Sequence, residues 1–150
     1  MGLGDLFPDN FRSDFAERNI NLGRAILVKI ESLNINYPKY IIIIGIDNSL
    51  QEVGYVIINS EINPNIFHSP FLKSQNVSID SMSHDFLEYN SFVDCTKISS
   101  FSKIELLEFI RNNPENVKCN VSEEVLKKVV MIITLSKLIS NFDKKRFGFL

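Results

Sequence analysis

The chain has 150 residues, 45% of them hydrophobic and 23% charged, the size and balance of one globular domain with a core of its own. Its formal net charge of −2 excludes the general surplus of Lys and Arg by which polyanion binders neutralise phosphates. The imbalance is local instead: residues 103–150 carry nine Lys/Arg against six Asp/Glu, and residues 1–102 carry seven against twelve. The segment "DKKRFGF" (residues 143–149) therefore reads either as a basic patch or as a solvated helix end whose cations suit the macrodipole. Two cysteines, Cys95 and Cys119, without a CxxC pair, point to reduced thiols. "MGLGDLFPDNF" lacks the basic start and apolar run of a secretory leader. No stretch reaches the roughly 18 apolar residues of a membrane span. A cytoplasmic protein without membrane contact is expected.

In chain order, residues 1–22 are expected to form a lead-in. It contains a short helix from Asn10 to about Arg18 that packs through Phe11 and Phe15 at i,i+4. The domain proper is expected over residues 23–150. "GRAILVKIESL" (residues 23–33) alternates as a strand, with Ile26, Val28 and Ile30 on one face and Leu27 and Lys29 on the other. After "NINYP", residues 40–46 form the strongest strand signal. Their β-branched run without alternation predicts burial on both faces. "DNSLQE" connects it to a second strand, "VGYVIIN". Symmetric pairing about that loop, with residue numbers summing to about 99, predicts Ile41 opposite Ile58, Ile43 opposite Val56 and Gly45 opposite Gly54. The same pairing sets Lys39 across from Ser60, with Asn59 adjacent. Short strands follow near residues 77–79 and 91–96. Helices come last. One opens on a Ser102/Glu105 capping box, and one follows Ser122 with Val125, Val129, Ile132, Ile133 and Ile139 in its apolar band. Strands first and helices last predict an α+β domain, a small, strongly bent antiparallel β-barrel with two C-terminal helices packed on it.

Motifs for dinucleotide, P-loop, zincin and α/β-hydrolase chemistry are absent. His68 and His84 lie in polar, loop-like surroundings. Metal binding by His84 with Asp80 or Asp85 stands against a merely hydrogen-bonded or exposed imidazole. Cys95 reads as a nucleophile or as a small strand hydrophobe. Tyr37 and Tyr40 flank Lys39 and read as base-stacking edges or as packing residues. Lys39, Ser60 and Asn59 at one end of a hairpin read as a site or as polar residues that solvate a strand end. The "FGFL" tail (residues 147–150) reads as an apolar protein contact.

The order "GRAILVKI", "YPKYIIIIG", "GYVIINSE", "NSFVDCTKI", helix, helix resembles the PemK/MazF-like superfamily of toxins over roughly residues 23–141. The resemblance implies an SH3-like barrel, usually a homodimer, that cuts single-stranded RNA without metal or cofactor and is inhibited by an antitoxin protein. By that resemblance Lys39, beside Pro38, stands where the family has its catalytic arginine. Ser60, with Asn59, stands where it has a threonine or serine. The family's later acidic position falls on Cys95, with Asp94 adjacent. Attack of a ribose 2′-hydroxyl on the neighbouring phosphate would then be assisted by Lys39 and Ser60, with Asn59, Tyr37, Tyr40 and Asp94 binding substrate. A non-catalytic barrel that binds protein or RNA in a defence or regulatory assembly is the alternative.

Overall fold

Alternation and its absence dictate the layering. The structure, a computed structural model, describes residues 9–29 and 37–150. Helix α1 (Asp9–Asn19) is followed by β1 (Arg24–Val28), β2 (Lys39–Asp47) and β3 (Glu52–Asn59). Then come a short helix α2 (Pro70–Ser74), β4 (Asn76–Ile79) and β5 (Ser91–Ser102), and after them α3 (Lys103–Asn112), β6 (Val117–Asn120), α4 (Glu123–Leu135) and α5 (Asn141–Arg146). The six strands form one curled antiparallel sheet in the order β4-β5-β3-β2-β1-β6, so the domain is α+β. Ile30 and the rest of the predicted first strand beyond residue 29 lie outside the described residues.

The four isoleucines demand cover on both sides, and helices supply it. Ile42 and Ile44 share one core with Val56, Ile58 and the α4 residues Val125, Val129 and Ile133. Ile41 and Ile43 share the other with Ile26, Tyr55, the α1 residue Ala16 and the α3 residues Leu106 and Ile110. Each fully buried isoleucine contributes about 1.5–3 kcal/mol through burial. The lead-in helix is thus packed into the body, against α3.

The β2–β3 ladder keeps the expected sum of 99 at its loop end, where Gly45 faces Gly54 and Asp47 faces Glu52. A bulge between Ile43 and Gly45 then shifts the register, and Ile41 pairs with Ile57 instead of Ile58. The bulge sits under the C-terminal tail. A Cβ on Gly45 would lie 2.6 Å from both Cβ and the carbonyl oxygen of Phe147, and one on Gly54 would lie 2.8 Å from the Phe147 ring. Glycine is required at both places because the tail backbone and ring occupy the space of a side chain.

Two of the three cations of "DKKRFGF" serve the fold. Buried Lys144 donates from Nζ to Thr134 O at 3.0 Å and to Ser136 O at 2.5 Å, satisfying orphan carbonyls where α4 stops. Arg146 donates from Nε to Asp47 Oδ2 at 3.0 Å, and its Nη2 lies 3.1 Å from Glu52 Oε2. The tail is no exposed contact either, since Phe147 and Phe149 are buried and Leu150 alone of its large apolar residues is exposed. The last helix is shorter than its apolar band suggested: α4 ends at Leu135, and Ile139 packs from the following turn. Its N-terminus is as expected, with Ser122 Oγ accepting from Val125 N at 3.2 Å.

Gly45→Ala should cost about 1–3 kcal/mol, the usual penalty of overpacking. It should cost more than Gly54→Ala, because a backbone oxygen cannot yield as a ring can; urea midpoints of the two variants check the order. A second prediction concerns acid. The Leu50 N–H and then Arg146 hold Asp47 below its ordinary value of 3.8, and the Ser100 hydroxyl and then Arg146 hold Glu52 below 4.5. Their contribution is complete above those values and disappears as pH falls through the depressed ones. Asp47→Asn with Glu52→Gln should therefore flatten the acid limb of a stability–pH curve and lower its neutral plateau.

Candidate functional site

Alternation along β2 and β3 carries the face of Ile41 and Ile57 outward to Lys39 and Asn59. The helices α1 and α3 cover the inner part of that face and stop short of its end. An open cleft of about 520 Å³ remains there. Ile57 and Asp94 contribute from β3 and β5, Ser60 and Glu61 from the chain leaving β3, and Ile66 and Phe67 from the following loop.

Lys39 Nζ donates to Asn59 Oδ1 at 3.1 Å and lies 5.6 Å from the centre of the Tyr37 ring. The expected opposition of Lys39 and Ser60 is thereby corrected by one residue. Continued past Ile41–Ile57, the shifted register sets Lys39 against Asn59. Ser60 lies one residue beyond the strand, exposed at the rim of the same cleft. Asp94 is also in the cleft, opposite Ile57 in the ladder. Its Oδ1 accepts from Thr96 N at 2.9 Å and from Thr96 Oγ1 at 2.6 Å, which leaves Oδ2 for a ligand. Tyr40 does not join them. One position along β2 from Lys39, it faces the opposite side of the sheet, its ring 5.0 Å from Phe86 and packed on the α4 core.

Thr96, Lys97, Glu61, Asn63, Ile66 and Phe67 also line the cleft, none of them marked as site residues by the sequence. Thr96 was accessible from the i,i+2 rule, since it shares a strand face with Asp94. Lys97 was not. Between the pairs Tyr55–Ser99 and Ile57–Asp94, β3 advances two residues while β5 advances five. Three extra residues of β5 are thus accommodated there, and such an irregularity re-aims side chains.

The remaining candidates have structural roles. His84 is buried; its Nδ1 lies 2.8 Å from Asp80 O and its Nε2 accepts from Ser122 N at 3.0 Å. The latter bond needs a lone pair on Nε2, so the ring is the Nδ1–H tautomer and braces the start of α4. His68 is exposed and outside the cleft. Among the described residues no three His, Cys, Asp or Glu side chains are grouped as metal ligands, and no helix is long and apolar enough to cross a membrane. Cys95 is fully buried on the face opposite Asp94, and burial pushes its thiol up to about 12.

No family model matches this chain, and no curated protein matches it. The site is therefore defined by its geometry.

Thiol chemistry gives a direct check of the Cys95 assignment. A thiolate-selective alkylating reagent at mildly alkaline pH should label the native protein once, at exposed Cys119. Cys95 should react only after denaturation, with mass spectrometry of the peptides locating each label.

Proposed function

We propose that the protein is a toxin-like, metal-independent endoribonuclease of the PemK/MazF-like type, its curled sheet a variant of the SH3-like barrel. The observation that carries this reading is the meeting of Lys39, Asn59, Ser60 and Asp94 in one open cleft, from strands and a strand end far apart in sequence. Lys39 is held by a neutral amide and makes no ion pair among the described residues, so its charge is available to a phosphate. The ammonium stabilises the negative charge that develops as the ribose 2′-oxygen attacks phosphorus. Ser60 Oγ donates to a non-bridging oxygen. The free oxygen of Asp94 takes the 2′-hydroxyl proton. The bond to the 5′-oxygen breaks with a proton supplied from Lys39, leaving a 2′,3′-cyclic phosphate and a 5′-hydroxyl. Exposed Tyr37 offers a stacking surface for one base. On this reading the protein works in the cytoplasm as a homodimer, and an antitoxin protein inhibits it by filling the cleft.

One observation favours a second reading, RNA binding without cleavage. Lys39 stands where the resembled family has arginine, and a lysine is a point charge that attracts a phosphate without gripping it bidentately, which suits holding a strand more than cleaving it. A single experiment separates the two. Single-stranded RNAs of varied sequence are incubated with the protein in EDTA, and products are resolved with their end groups. Cleavage with cyclic-phosphate ends, reduced about 100-fold or more in Lys39→Ala, is the expected result. Intact RNA that is bound in a Lys39-dependent way supports the binding module, and neither cleavage nor binding refutes both.

A further inference from the structure

Beside Lys39 the cleft holds a second lysine, Lys97, to which the family resemblance gives no role. Lys97 is exposed on β5 where the strand carries its three extra residues relative to β3. In a regular ladder it would alternate from Asp94 onto the opposite face, where Val93 and Cys95 are buried. The irregularity brings it instead into the cleft alongside Asp94 and Thr96. Asp94, the nearest carboxylate on its own strand, accepts through Oδ1 from Thr96. Lys97 makes no ion pair among the described residues, and neither does Lys39. Strand irregularities are costly to a ladder, and one that turns a long cation into an open cleft beside a first cation has a use in the cleft.

From this we infer that Lys97 is a second phosphate contact, so that the cleft engages two phosphates of a single strand, one at Lys39 and one at Lys97. The inference rests on the RNA reading and deepens it by naming how much of the strand is held. It divides the labour between the two lysines. Lys39, beside the hydroxyl and amide donors, meets the phosphate that reacts. Lys97 meets a neighbouring phosphate that stays intact, and so contributes binding that is equal in the ground state and the transition state.

Counterion release makes this countable. Each phosphate neutralised on a single strand adds about −0.7 to the slope of log K against log salt, so two contacts give a slope of about −1.4. Binding of a fluorescein-labelled, uncleavable 2′-O-methyl oligonucleotide is followed by anisotropy between about 50 and 200 mM salt, the range over which this effect is large. Lys97→Ala should bring the slope to about −0.7 and weaken binding alike across sequences. Lys97→Arg should retain the wild-type slope, and Lys137→Ala, an exposed lysine outside the cleft, should leave it unchanged. On cleavable RNA, Lys97→Ala should raise KM and spare kcat, whereas Lys39→Ala should lower kcat. An unchanged slope in Lys97→Ala, with the wild type binding normally, overturns the second contact and leaves the RNA reading standing. A wild type that binds no oligonucleotide overturns both.

Discussion

The molecule is organised by one constraint: a run of four isoleucines in the middle of a sheet has to be kept from water on both faces. Alternating strands need a single cover, but Ile41–Ile44 put equally large apolar side chains up and down. The response is two cores separated by one sheet, with α4 and the tail on one side and α1 and α3 on the other. The same run makes register ambiguous, because sliding β2 by one position replaces each isoleucine with another. Register must then be set by what lies beyond the run. At the loop end Gly45 and Gly54 accept Phe147, and Arg146 grips Asp47 and Glu52 across the ladder. At the cleft end Tyr40 packs against Phe86 while Lys39 reaches Asn59. These ends require sums of 99 and 98, and the bulge between Ile43 and Gly45 reconciles them.

The cleft is the place where this cover runs out. Beyond Ile57 the face shared with α1 and α3 continues to the strand ends with no helix over it among the described residues. Polar groups there are solvated and avoid the penalty of burial, and the loop leaving β3 makes one wall. Fold and site therefore have one origin. The strands long enough to hold the isoleucines in the core also carry Lys39 and Asn59 past it.

Much of this was legible in the residues, and the failures have specific causes. Helix starts were readable because Ser102 and Ser122 act locally, and both do cap their helices. The hairpin's existence and its glycine pair followed from the loop and the strand composition. The bulge did not, since it answers to Phe147, about a hundred residues away in sequence; the one-residue error about Ser60 and Asn59 is its direct consequence. Tyr40 was misjudged as a neighbour of Lys39 because adjacency in sequence is opposition in a strand. The tail looked adhesive and basic because nothing local reveals that Lys144 caps α4 or that Arg146 meets a loop made much earlier. Asp94 and Cys95 could be told apart only once the sheet's two faces were assigned.

The chemistry of the cleft turns on the partner of its central cation. An ammonium has only donors, so the Asn59 carboxamide must present its oxygen to Lys39, which leaves its NH₂ group as a donor. A carboxylate in the same place would have neutralised the lysine; the amide orients it and leaves its charge intact. An ammonium, an amide and a hydroxyl thus line one cleft. The nearby carboxylates of Asp94 and Glu61 then limit how much further negative charge the cleft tolerates. Under the RNA reading proposed above, this balance is what a flexible strand with few phosphates, and sugar hydroxyls between them, would call for.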